Sequence, residues 1–169
     1  SETDSAQPFH VHMTSILKRA ASLTRSNYGT FRGWVRHSLA MTQWLTGGLE
    51  RAVHPDLANT ERLVFVCLGN INRSCFAEAV ARREGAPSCS FGLSTTTGAP
   101  AFPMAVATAA RMGLNLQAHL ATNLTDYTAE PGDLLLVMEV RHIARLKASG
   151  LGHVPVALLG AWSYPRRLH

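Results

Sequence analysis

From Glu61 onward the chain repeats one pattern, a strand-length apolar run followed by a stretch with helical spacing. The first run, Arg62-Leu63-Val64-Phe65-Val66-Cys67, shows no alternation of polar and apolar residues. A strand of that kind is buried on both faces, as in parallel sheets whose crossover helices cover them. Further strands are expected over 90–95, 133–138 and 154–159, and helices over 74–84, 104–112 and 141–148. The pattern predicts an α/β fold, a four-stranded parallel sheet with helices on both faces. In the first of these helices Phe76, Ala79 and Val80 are expected to face inward.

Residues 1–57 read differently, as a basic helical extension ahead of a domain over 58–169. Between positions 10 and 53 six Lys/Arg stand against Glu50 alone. Phe9, Met13, Ile16, Leu17 and Ala20 recur at helical spacing, as do Phe31, Trp34, Val35, Leu39 and Leu45. Ser26-Asn27-Tyr28-Gly29 breaks the two helices, and Gly47-Gly48 loosens the second. That second helix would run antiparallel to the first strand. Its apolar residues are expected on the sheet, within the chain or in a homodimer paired through the N-terminal helices. This packing is expected in preference to a membrane-surface role.

Composition narrows the setting. Hydrophobic residues make 46% of the 169 and charged ones 16%, which excludes disorder over most of the chain. The net charge of +5 favours anionic partners without naming one. Cys67, Cys75 and Cys89 are an odd set without a CxxC pair, which points to a reducing, cytoplasmic setting and not to a disulfide scaffold. The start is acidic where a secretory leader is basic, and no apolar run is long enough to span a bilayer. No metal, cofactor or nucleic acid is expected.

The chemistry concentrates in Cys67-Leu68-Gly69-Asn70-Ile71-Asn72-Arg73-Ser74, between the first strand and its helix. At the carboxyl end of a parallel strand, successive N–H groups can curl around one tetrahedral oxyanion before the helix begins. Gly69 allows close backbone approach, and Asn70 is a residue type that tolerates positive φ. The five-residue spacing brings Arg73 round to the anion that Cys67 would attack, and its planar fork suits a phosphate. A cysteine beside a helix N-terminus and an arginine is where thiolates are favoured, so Cys67 is the candidate nucleophile. Ser74 can donate to its sulfur.

This segment resembles the low-molecular-weight protein tyrosine phosphatases, whose signature V-C-x-G-N-x-x-R-S matches Val66 to Ser74. The resemblance extends over most of 62–168, through Phe76-Ala77-Glu78-Ala79, His119-Leu120-Ala121, Leu136-Val137-Met138-Glu139 and Leu158-Leu159-Gly160. Ser94-Thr95-Thr96-Thr97 is set against the family's S-A-G-T. It implies hydrolysis of phosphotyrosine, in protein or as a small aryl phosphate, through a phosphocysteine intermediate. It also implies that Asn70, Ser74, Ser94 and His119 hydrogen-bond together and hold the loop. Arsenate reduction on the same fold and a non-catalytic phosphate- or partner-binding module are the alternatives.

Four departures accompany the match. Asn72 replaces a second loop cysteine, and Cys75 stands where proline is usual. The segment 98–103 is shorter than usual and leaves Phe102 to flank an aryl ring. The aspartate that the resemblance implies as general acid is expected beyond His169, and no residue of this sequence is nominated in its place.

Overall fold

In the computed structural model, which describes residues 31–163, β1 (Arg62–Cys67) lies at the centre of a parallel sheet. It pairs with β2 (Ser88–Gly92) on one side and β3 (Asp133–Val137) on the other. β4 (Val156–Leu158) adds to β3, giving the order β2-β1-β3-β4. Each pair of parallel neighbours needs a crossover, and helices supply it. In chain order they are α1 (Phe31–Leu45), α2 (Glu50–Val53), α3 (Arg73–Arg83), α4 (Pro103–Arg111) and α5 (Val140–Ala148).

Alternate residues of β1 feed opposite faces of the sheet. Val64 and Val66 join Phe91, Leu135, Val137 and Leu158 on one face, covered by Leu146 of α5 and by Ala40, Leu49 and Val53 around α1 and α2. Phe65 joins Leu134, Leu136 and Ala157 on the other, under Ala81 of α3. Cys75 carries α3 onward into a cluster with Ala101, Ala105, Ala109, Leu114 and Leu116 around α4. Both faces are therefore covered, as the unbroken apolar runs require.

The structure corrects several expectations. On α3 the buried residues are Ser74, Cys75, Glu78 and Ala81. Phe76, Ala79 and Val80 do face inward, packing half-buried on the α4 cluster, because this helix wedges between sheet and α4. On α1, Leu39 and Leu45 are 62% and 76% exposed, while Gly33 and Ala40 are buried and Met41 and Trp44 pack partly on the core. β2 ends at Gly92, earlier than expected, because the next residues follow the loop: the Ser94 N–H donates to the Leu68 carbonyl. The helix expected around residues 9–20, and the side chains of Phe31 and Trp34, lie outside the described residues.

Candidate active site

β1 ends at Cys67 and α3 begins at Arg73, so five residues must reverse the chain between a central strand and its helix. Asn70 makes the turn with φ of 51°, the one non-glycine residue at positive φ among those described. Its side chain is fully buried and every polar atom on it is used. The Thr122 N–H donates to Asn70 Oδ1 at 2.8 Å, which fixes the orientation of the amide. Nδ2 must then donate, and does so to Ser74 Oγ at 2.9 Å and Ser90 Oγ at 2.7 Å. The Asn70 carbonyl accepts from His119 Nε2 at 2.7 Å, which assigns the proton to that ring nitrogen.

The order of donors follows from there. Ser74 Oγ accepts from Asn70 and lies 3.0 Å from Cys67 Sγ, to which its hydroxyl can donate. The Asn70 N–H also donates to that sulfur, at 3.2 Å. Two polar hydrogens thus converge on one sulfur at the entrance to an eleven-residue helix. Ser90 passes its own proton to buried Glu78, whose other oxygen pairs with Arg82. A carboxylate thus anchors the network from the far side of α3.

Ser94, expected in this network, is not part of it. Its side chain is exposed, and it meets the loop through its backbone alone. Ser90 takes the place instead, because β2 runs parallel to β1 and ends level with it, in register Cys67↔Gly92, which sets Ser90 beside Phe65. The signal was present as Ser90-Phe91-Gly92. A side chain on Gly92 would meet Thr95 Cγ2 at 2.9 Å, and Asn70 N and the Gly69 carbonyl carbon at 3.0 Å. Only glycine allows the strand end to lie against the loop.

Arg73 opens α3 and is half-exposed, with NH1 donating to Glu139 Oε1 at 2.8 Å. Arg141 Nε donates to the other oxygen of Glu139 at 2.6 Å. Burial opposes the charge on Glu139, but the hydrogen bonds from Arg141 and Arg73 prevail and hold its carboxyl down at about 2. Glu139 was not singled out from sequence. Its position just past β3, at the carboxyl edge where ligands of parallel sheets bind, was the available signal.

Around the loop lies an apolar rim. Leu68 and Phe102 are 37% and 47% exposed, and the Phe102 N–H donates to the Ile71 carbonyl at 2.7 Å. Asn72 is exposed, and its carbonyl accepts from the Cys75 thiol at 3.1 Å. Burial pushes the Cys75 thiol up to about 11, so it stays protonated and unreactive at neutral pH. All three cysteines are free, and no cluster of metal-binding side chains occurs among the described residues. Nor does any described helix have the length and apolarity to cross a membrane.

Residues 62–167 match the family model described as low molecular weight phosphotyrosine protein phosphatase. The probable low molecular weight protein-tyrosine-phosphatase EpsP of Ralstonia solanacearum is 38% identical over 78 residues, 45% of this chain and 54% of the relative. The low molecular weight protein-tyrosine-phosphatase Wzb of Salmonella typhi is 33% identical over 110 residues, 63% and 74% of the two chains. The chain thus spans just over half the length of the first relatives it matches. Among solved structures, Vibrio vulnificus Wzb in complex with benzylphosphonate superposes with a TM-score of 0.52 at 27% identity, covering 61% of this chain and 75% of that one. A mutant of YwlE from Bacillus subtilis gives 0.53 at 32% identity, covering 61% and 74%.

Proposed function

This chain belongs to the low molecular weight phosphotyrosine protein phosphatases, and on that premise we propose that it hydrolyses phosphotyrosine through a phosphocysteine intermediate. The observation that carries the reading is Cys67 Sγ held by the Ser74 hydroxyl and the Asn70 N–H at the entrance to α3. The loop amides of Leu68, Gly69, Asn70, Ile71 and Asn72 and the Arg73 guanidinium bind the phosphate. Cys67 attacks phosphorus in line with the ester oxygen. The S–P bond forms, the P–O bond to the phenol breaks, and the phenolate takes up a proton. Water then cleaves the S–P bond, releasing inorganic phosphate and returning the thiolate, with Ser74 donating to the departing sulfur.

The exposed Leu68 and Phe102 at the rim favour an aryl leaving group, hence phosphotyrosine or a small aryl phosphate. Glu78 and Glu139, the two acids tied to the loop, are both engaged by arginine, so neither is assigned as proton donor. The thiolate chemistry fits a reducing, cytoplasmic compartment.

Initial rates on aryl phosphates of graded phenol acidity test the reading. The 169-residue chain should turn over p-nitrophenyl phosphate, whose leaving group needs no proton. Rates on phenyl phosphate should fall by about 10²–10⁴-fold, the usual contribution of a general acid. Absence of turnover on every ester would refute hydrolysis. A flat dependence would place an acid within the chain.

A further inference from the structure

The loop of the proposed hydrolase has a second cation beside it that phosphate binding does not use. Glu139 bridges two guanidiniums, Arg73 on one oxygen and Arg141 on the other. Arg73 belongs to the phosphate loop. Arg141 opens α5, its side chain is 48% exposed, and only its Nε is engaged in the hydrogen bonds among described residues. One turn further along α5, exposed Arg145 reaches across the sheet edge and donates from NH2 to the Leu93 carbonyl at 3.0 Å. Leu93 in turn donates to the Cys67 carbonyl at 2.9 Å. Arg141 stands beside Glu139 just past β3, and Arg145 reaches to Leu93 just past β2, so both approach the carboxyl edge that holds Cys67. Glu139 neutralises one of the three arginine charges. Arg141 and Arg145 thus add exposed cationic groups beside the arginine that clamps the phosphate.

We propose that Arg141 and Arg145 form a cationic subsite that takes an acidic side chain next to the phosphorylated tyrosine of a protein substrate. The inference rests on the hydrolase reading and adds the substrate's flanking chemistry to it. Arg73 and Arg141 are joined through one carboxylate, which sets a second guanidinium next to the one assigned to the substrate phosphate. Opposite charges at such an exposed rim interact weakly, so the selectivity is modest and screened by salt.

The test uses phosphotyrosine peptides that differ only in flanking glutamate, alanine or lysine, on either side of the tyrosine. Affinity is measured by fluorescence anisotropy on the full chain carrying Cys67→Ser, so the reading does not depend on turnover. Glutamate peptides should bind about 3–10-fold tighter than lysine peptides at low salt. The ratio should shrink toward one in about 0.5 M salt. Arg145→Gln and Arg141→Gln/Arg145→Gln should each lower it, the double variant most. In the parent enzyme the same ratio should govern kcat/KM, with p-nitrophenyl phosphate run alongside. Turnover of that ester with no peptide preference would overturn the subsite while leaving the hydrolase standing. A preference unchanged in both arginine variants would likewise overturn it. Should the double variant fold poorly, Arg145→Gln and the salt dependence of the parent decide the matter.

Discussion

Ser90 and Ser94 make the sharpest contrast between single residues. Ser90 accepts from Asn70 and donates to Glu78, and both partners are buried. Ser90→Ala leaves a buried amide donor and a buried carboxylate oxygen each short of a partner, at about 1–3 kcal/mol per group. The loop then loosens, and displacements near 1 Å at a reacting centre cost about 10²-fold. A fall in kcat of about 10- to 100-fold on p-nitrophenyl phosphate is expected, against less than about twofold for Ser94→Ala. Equal effects would return Ser94 to the network.

Acid sensitivity is also set by single residues, Glu139 and His142. The Glu139 carboxyl is held at about 2, below its usual 4.5, so its contribution is complete above pH 4.5 and lost as pH falls toward 2. Burial pushes the His142 imidazole down to about 4, with Glu139 opposing and Arg73, Arg141 and Arg145 reinforcing. Neither ring nitrogen has a hydrogen-bond partner among the described residues. Between pH 6.5 and 4 the unfolded chain therefore binds a proton that the folded chain does not, and stability falls as acid is added. The melting temperature should drop steadily from pH 7 to 4. His142→Leu should flatten the upper part of that slope and keep the fall below pH 4.5. An identical slope in the variant would remove His142 from the account.

At the scale of elements, what a sequence reveals depends on how local its cause is. The loop from Cys67 to Ser74 was legible because strand, turn and helix start are contiguous, and Asn70 supplies the positive φ by itself. The order of strands and helices was legible from unbroken apolar runs. Ser90 was missed because its role depends on the register of β2 against β1, which no single segment encodes. The inward face of α1 was missed for a related reason. Leu39 and Leu45 carry the stronger hydrophobic signal, but Ala40 is the residue of α1 that joins the buried core. Leu49→Ala, at a residue 6% exposed, should cost about 2–5 kcal/mol in chemical denaturation. Leu45→Ala, at 76% exposure, should stay within about 0.5 kcal/mol. The reverse ranking would mean that the outer face of α1 is the packed one.

On the scale of the whole molecule, packing and family likeness divide the chain differently. The family match begins at Arg62, yet Ala40, Leu49 and Val53 belong to the same core as Val64, Leu135 and Leu158. We therefore treat the boundary near residue 58 as one of sequence and not of folding, and expect deletion of residues 1–57 to abolish cooperative melting. Exposed Leu39 and Leu45 are the surface through which two copies would pair, and light scattering of the Leu39→Glu/Leu45→Glu variant against the parent decides between pairing and a monomer. The central claim, that Cys67 carries the phosphoryl group during turnover, is tested most directly by acid quench of the enzyme during hydrolysis of p-nitrophenyl phosphate, with peptide mass mapping. Phosphate should be found on Cys67 and nowhere else, and should be absent when Cys67 is replaced by alanine. Sustained turnover with no phosphocysteine, or undiminished activity in Cys67→Ala, would contradict the account.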